Sequence, residues 1–168
     1  MTQMRNFIIA LFILGITSVA SAQDKIAHIN VSELLQKMPE MNTAKTQLEK
    51  LSKTYDTDYR TMVEEFQAKV KKYEAEVETV SEKMNEERSK EVQDMQNRIV
   101  QFRDNAGKEL QQKESDLVKP ILEKAKAAIQ KVAKAKGFKY VLDSTEGGTV
   151  IVADGTNIYN EVKVELGF

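Results

Sequence analysis

The sequence has no cysteine and no tryptophan, and its 168 residues include only 2 prolines, 7 glycines and one histidine, His28. Without cysteine there is no disulfide, thiolate metal ligand or cysteine nucleophile. A single histidine makes a histidine-rich zinc site or a Ser-His-Asp triad hard to build within one subunit. The 25 Lys and Arg balance 26 Asp and Glu, so the positive excess of a nucleic-acid-binding protein is missing. The composition argues against an enzyme and favours long, exposed helices.

The first 22 residues have the pattern of a secretory signal peptide. One charged residue, Arg5, precedes an apolar run over residues 7–19, and Ala20-Ser21-Ala22 supplies the small residues of a cleavage site. The run is shorter than the roughly 20 residues that span a bilayer. The sequence therefore predicts cleavage after Ala22 and export of the mature chain, with an uncleaved anchor as the alternative.

A long stretch, residues 42–136, carries its apolar side chains at helical spacing and contains only Gly107 and Pro120 as potential helix breakers. In its first half the apolar residues recur every three or four positions, at Leu48, Leu51, Tyr55, Tyr59, Met62, Phe66, Val70, Tyr73, Val77, Val80 and Met84. A second stripe runs from Val92 to Val132. Two stripes of similar length predict an antiparallel coiled-coil hairpin with its tip near residues 85–89. One continuous helix in a parallel coiled coil is the alternative.

The segments that flank the hairpin, residues 23–41 and 137–168, predict a small β-rich body. Residues 25–31 are typical of a strand, and Ser32 is suited to cap a short helix over residues 33–38. Lys136-Gly137 is a helix stop. Strands are predicted over residues 138–142 and 149–153, and Thr156 is predicted to cap a last helix over residues 157–166. The fold class is therefore α+β.

This body has too little apolar surface to be stable alone, so we expect it to associate with other copies through open strand edges. The residues predicted to form the oligomeric body are the apolar ones of its strands: Ile26, Ile29, Val31, Tyr140, Leu142, Val150 and Val152. His28 lies in the first strand, where a structural role is expected. A metal site formed by three copies is the alternative.

Three segments carry a resemblance to a known family: KIAHINVSELLQKMPEM, ESDLVKPILEKAKAAIQKVAKAKGFKYVLD and ADGTNIYNEVKVEL. Their order around a coiled-coil stretch resembles the Skp (OmpH-like) family of periplasmic chaperones. The resemblance implies a homotrimer whose strands form a barrel-shaped body, with helical hairpins that project around a cavity. It also implies a periplasmic protein that holds unfolded outer-membrane proteins without ATP, without a cofactor and without enzymatic activity.

A chaperone of this kind needs apolar side chains that bind clients weakly at many points. Six residues of the two stripes are predicted to do so: Met62, Phe66, Tyr73, Met84, Met95 and Phe102. For each of them, packing between the two helices is the alternative. Pro120 removes one helical hydrogen bond and is either a hinge of the arm or a fixed kink.

The charge distribution departs from that of the best-studied family members, which are basic along the hairpin. Residues 73–94, around the predicted tip, hold 3 basic and 8 acidic side chains, whereas residues 117–136 hold 6 lysines and one glutamate. No cluster matches the lipopolysaccharide site of the family, and no peripheral membrane association is assigned. A coiled-coil spacer or adaptor of the cell envelope is the alternative function, although an adaptor would need larger β-domains beside the hairpin.

Overall fold

The computed structural model describes residues 26–168, so the predicted signal peptide lies outside the described residues. The elements are β1 (Ile26–Ile29), α1 (Val31–Lys37), α2 (Pro39–Glu76), α3 (Glu82–Lys136), β2 (Tyr140–Asp143), β3 (Thr156–Asn157) and α4 (Tyr159–Leu166). The chain divides into two units. We call Pro39–Ile121 the arm unit, and the described residues up to Met38, 26–38, together with Leu122–Phe168 the body unit.

The arm unit is an antiparallel pair of helices, which confirms the predicted hairpin. Ion pairs join Lys69 to Glu91 and Glu76 to Arg88, so positions that advance along α2 meet positions that recede along α3. Across residues 26–168, no helix is long and apolar enough to cross a membrane.

The turn between the helices lies at residues 77–81 and not near residues 85–89, which are helical. Ser81 Oγ accepts the N–H of Met84 at 3.3 Å, and the Asn85 side chain donates to the Val77 carbonyl at 2.9 Å. A serine that caps α3 therefore sets its start. The apolar spacing of Val77, Val80 and Met84 continues across this turn, which is why periodicity alone placed the tip too late.

The body unit contains a three-stranded parallel sheet of order β2-β1-β3. The core of this unit contains five large side chains that are at most 1% exposed: Ile29, Leu34, Met38, Ile158 and Val162. Strand β1 is the central strand, and both of its neighbours, β2 and β3, follow the arm in the sequence.

A glycine ends α3 where the sequence predicted. Gly137 has φ +78°, and the N–H groups of Gly137 and Phe138 donate to the carbonyls of Lys134 and Ala133 at 3.2 and 2.9 Å. This is a Schellman motif, which satisfies the last carbonyls of the helix and favours glycine because of the left-handed backbone.

Two predicted helix caps were wrong by two residues or less. Asn30, not Ser32, caps α1, and its side chain accepts the N–H of Glu33 at 2.9 Å. Asn157, not Thr156, accepts the N–H of Tyr159 at the start of α4, at 2.9 Å. Asparagine side chains bond readily to backbone N–H groups two or three residues on, so they compete with serine and threonine for this role.

The strand predicted over residues 149–153 is absent from the sheet, and the third strand is Thr156–Asn157. Ile151 and Val152 are 96% and 71% exposed. The segment has the β-branched residues of a strand, but within the single chain it pairs with neither outer edge of the sheet, on β2 or on β3. Val31 likewise begins α1 and does not extend β1.

Asp143 fastens the end of β2 to the start of α1. Its Oδ1 accepts the Val31 N–H at 3.3 Å, the Thr145 N–H at 2.9 Å and the Thr145 hydroxyl at 2.6 Å. Burial raises the pKa of this carboxyl, but the bonds from Thr145 and Val31 outweigh burial and lower the pKa below its usual value. The loop after β2 is thus tied to the core by a charged acceptor.

Candidate functional site

The arm unit leaves most of its apolar side chains partly exposed. Its buried residues are Ala44, Ala106 and Ile121, which are 3%, 9% and 8% exposed, whereas the larger side chains between α2 and α3 are half-buried. Two helices alone can cover only one face of each other. The arm therefore presents apolar surface along its length.

Two of the predicted client-binding residues come together in one groove. Met62 of α2 and Met95 of α3 line a cavity of about 320 Å³ whose other lining residues are Glu65, Lys69, Glu91, Arg98 and Ile99. A neighbouring cavity of about 410 Å³ shares Met95, Lys69 and Glu65 with it. Methionine is flexible and polarisable, so this groove can adapt to side chains of different shape. We call it the Met62–Met95 groove.

Phe102 lies in the contact between the helices. The Phe102 ring meets Tyr55 edge to face, with centroids 6.0 Å apart and an interplanar angle of 83°. The Tyr55 hydroxyl donates to Glu109, and this hydrogen bond raises the tyrosine pKa. Phe66 is half-buried. Phe102 therefore stabilises the pairing of the helices, in line with the packing alternative for this residue.

Tyr73 belongs to a polar network near the turn that sequence reasoning missed. Its hydroxyl donates to Glu91 at 2.5 Å, and Lys69 pairs with the same carboxylate. The Arg88 guanidinium lies 4.5 Å from the centre of the Tyr73 ring and 2.5 Å from Glu76. This is a cation–π contact backed by an ion pair. The opposite charges at these positions could have been matched only once the turn was known.

The charge on Glu91 is stabilised by its neighbours. The hydrogen bond from Lys69, followed by that from Tyr73, lowers the pKa of the Glu91 carboxyl. The same bonds raise the pKa of the Lys69 ammonium and of the Tyr73 hydroxyl. All three groups remain in contact with solvent, so the network orients the helices more than it stabilises them.

Met84, the remaining predicted client-binding residue, lies in the first turn of α3 and is 43% exposed. Val77, in the connection between the helices, is 49% exposed. The tip of the arm therefore has accessible apolar atoms among its acidic side chains.

In the body unit, one face of the sheet is apolar and uncovered in the single chain. Ile26 pairs with Tyr140 and His28 with Leu142, so these four side chains share a face. Ile26, Tyr140 and Leu142 are 54%, 66% and 44% exposed, while Ala27 and Ile29 on the other face are 1% exposed.

The other predicted body residues are divided between core and surface. Ile29 is in the core, Val31 and Val150 are half-buried, and Val152 is exposed. His28 is half-buried, and its Nδ1 lies 2.9 Å from the Ser144 hydroxyl oxygen. In residues 26–168, no three His, Cys, Asp or Glu side chains form a group that could hold a metal ion.

Comparison with known proteins relates both units to one family. Residues 25–166 match the model of the family described as "Outer membrane protein (OmpH-like)". The chain is 28% identical over 138 residues to the chaperone protein Skp of Photorhabdus luminescens, covering 78% of this chain and 79% of that protein. Its fold matches a crystal structure of an OmpH-like protein from Caulobacter crescentus, with a TM-score of 0.75, 13% identity and coverage of 84% and 83% of the two chains. The chain belongs to the OmpH-like family of outer-membrane chaperones.

Proposed function

We propose that this protein is an ATP-independent periplasmic holdase, which binds unfolded outer-membrane β-barrel proteins and prevents their aggregation. The observation that carries the proposal is the partly exposed apolar stripe of the arm, with the Met62–Met95 groove within it. The similarity to a protein named Skp supports the same activity. Export through the predicted signal peptide, residues 1–22, would bring the chain to the compartment where such clients pass.

The arm suits reversible binding because its grooves are open and lined partly by charged side chains. Each groove offers a few apolar atoms beside charged side chains, so one contact contributes little affinity. Several contacts on one client chain add up through their high effective concentration, while each can still release on its own. A client could therefore be held without being trapped, and no nucleotide would be needed to free it.

The uncovered face of the sheet supports association of the body with other copies, as the resemblance implies for a homotrimer. Ile26, Tyr140 and Leu142 present apolar surface that an isolated small domain would expose to water. The exposed strand-like segment at residues 149–153 offers unpaired backbone groups as well. We propose that neighbouring subunits cover both surfaces.

We also propose that Pro120, which lies inside α3, acts as a hinge of the arm.

The test is to dilute an unfolded β-barrel membrane protein into buffer that contains this protein but no nucleotide. We expect light scattering to be suppressed by the wild type and suppressed less by the double variant Met62→Ser/Met95→Ser. Val100→Ser is the matched control, because Val100 is 46% exposed on α3 and does not line the groove. If the wild-type protein left aggregation as it is in buffer alone, the holdase proposal would be contradicted and an envelope spacer or adaptor would be favoured.

A further inference from the structure

A larger groove lies in the arm unit, and none of the six residues predicted to bind clients lines it. It has a volume of about 860 Å³ and is lined by Leu48, Glu49, Ser52, Lys53 and Asp56 of α2 and by Gly107, Leu110, Gln111 and Glu114 of α3. Leu48 and Leu110 are half-buried and form its apolar floor. Ser52 and Gly107 keep its mouth open because their side chains are small or absent. We call it the Gly107 groove.

Gly107 has no structural reason to be a glycine. It lies inside α3, where its φ is in the ordinary helical range, and a Cβ at this position would meet no atom within 4 Å. Glycine in a helix interior costs about 1 kcal/mol relative to alanine. The arm thus gives up helix stability at a position where a side chain would narrow this groove.

The charges at the rim select the kind of segment that fits. The lining contains three carboxylates, on Glu49, Asp56 and Glu114, and one ammonium, on Lys53. Lys45 and Arg60 reach Glu49 and Asp56 from outside the lining, at 3.9 and 3.0 Å.

Both of those pairs are exposed contacts one helical turn apart, which are weak and open to competition. Glu114 makes no ion pair with any residue in the described part of the chain. By contrast, the Met62–Met95 groove has two cations, Lys69 and Arg98, against two carboxylates.

We propose that the Gly107 groove is a second binding subsite, which takes an apolar side chain of an extended polypeptide segment flanked by lysine or arginine. This inference rests on the proposed chaperone function and assigns part of the client specificity to this groove. The leucine floor receives the apolar side chain, and the carboxylates at the rim pair with the flanking cations. The arm then binds different client segments at two grooves of different charge.

The experiment titrates the full-length mature protein with two labelled short peptides, one of alternating leucine and lysine and one of alternating leucine and glutamate. We expect tighter binding of the lysine peptide. Gly107→Leu, which fills the groove, should weaken that binding about tenfold and raise the unfolding temperature, since leucine is the better helix former. Glu114→Gln should weaken it less, and more at low salt than at high salt.

Asn105→Leu is the matched control, because it adds the same side chain to an exposed position of the same helical turn outside the groove. It should leave peptide affinity unchanged. Equal loss in both leucine variants, or wild-type affinity in Gly107→Leu, would overturn the proposal. The proposal would also be overturned if Gly107→Leu changed only the sedimentation of the peptide-free protein. In that case the groove would be a contact between copies of the chain.

The aggregation assay keeps the two proposals distinct. A wild type that suppresses aggregation while Gly107→Leu binds the lysine peptide normally would refute the groove alone. A wild type that suppresses nothing, combined with loss of peptide binding in Gly107→Leu, would refute the holdase function and leave the groove as a peptide-binding site.

Discussion

The body unit and the arm unit use apolar residues in opposite ways. The body buries five large side chains in a core where each is at most 1% exposed, although the unit is small. The arm has more residues in helices, yet among the described residues its buried positions are Ala44, Ala106 and Ile121, which are 3 to 9% exposed. Close packing fixes one arrangement of the chain, whereas half-buried side chains stay available to other molecules. The difference separates the part that holds the subunit together from the part suited to binding.

The largest expected effect is in the body core. Leu34 is 0% exposed, so Leu34→Ala should lower the free energy of unfolding by about 2 to 5 kcal/mol, because it leaves a cavity in a core with few side chains. Urea unfolding followed by circular dichroism measures this change. Met62→Ala, in the arm, should cost clearly less. An equal loss in the two variants would remove the contrast between the units.

The next effect concerns Pro120, the proposed hinge of the arm. Pro120 lies inside α3, one residue before the boundary of the arm unit. Pro120→Ala restores a helical hydrogen bond and should stabilise the helix by about 1 to 3 kcal/mol. Hydrogen exchange of the amides around position 120 should slow accordingly. Unchanged exchange there would mean that the proline is a fixed kink and not a hinge.

A smaller effect is expected at the loop that fastens the body. Asp143→Ala removes the acceptor of three hydrogen bonds and should cost about 1 kcal/mol. Because the pKa of Asp143 is lowered in the folded state, its ionisation stabilises the body at neutral pH. That stabilisation is lost as the pH falls through the lowered pKa. Asp143→Asn should make the free energy of unfolding depend less on pH over this acid range. A pH dependence identical to that of the wild type would contradict the stabilising role of the Asp143 carboxylate.

The smallest effect is expected from the polar network of the arm. Glu91→Gln removes the charge that Lys69 and Tyr73 share, but all three groups are in contact with solvent. We expect a small drop in melting temperature at neutral pH, which vanishes as the pH falls through the lowered pKa of Glu91, since that carboxylate is then protonated in the wild type too. A drop comparable to that of Leu34→Ala would show that the arm, too, depends on a tightly coupled centre.

The sequence predicted the helices well because their signal is long and repeated. Apolar spacing located both helices of the arm, and Gly137 marked the end of α3 to the residue. The turn was placed too late because Val77, Val80 and Met84 happen to keep helical spacing through it. A cap such as Ser81 is a single residue, so a periodic pattern easily hides it.

The candidate grooves could be predicted only in part. Periodicity selected Met62 and Met95, but it could not tell them from Phe102, which packs against Tyr55. The register of the two antiparallel helices decides which residues of the two stripes meet. If the turn between the helices is placed at the wrong residues, every predicted pairing shifts. The strand expected at residues 149–153 failed because β-branched residues favour a strand only where it packs on a neighbour, and this segment pairs with neither outer edge of the sheet in the single chain.

The order of strands in the sheet also dictates the order in which the chain can fold. Strand β1 precedes the arm, and both of its neighbours follow it; the bond from Val31 to Asp143 alone spans 112 residues. The arm helices form through local contacts and can fold quickly, whereas the sheet must wait until the last part of the chain is present. During synthesis the first strand therefore stays unpaired the longest. Its length of four residues limits the unpaired edge it offers to other chains in that interval.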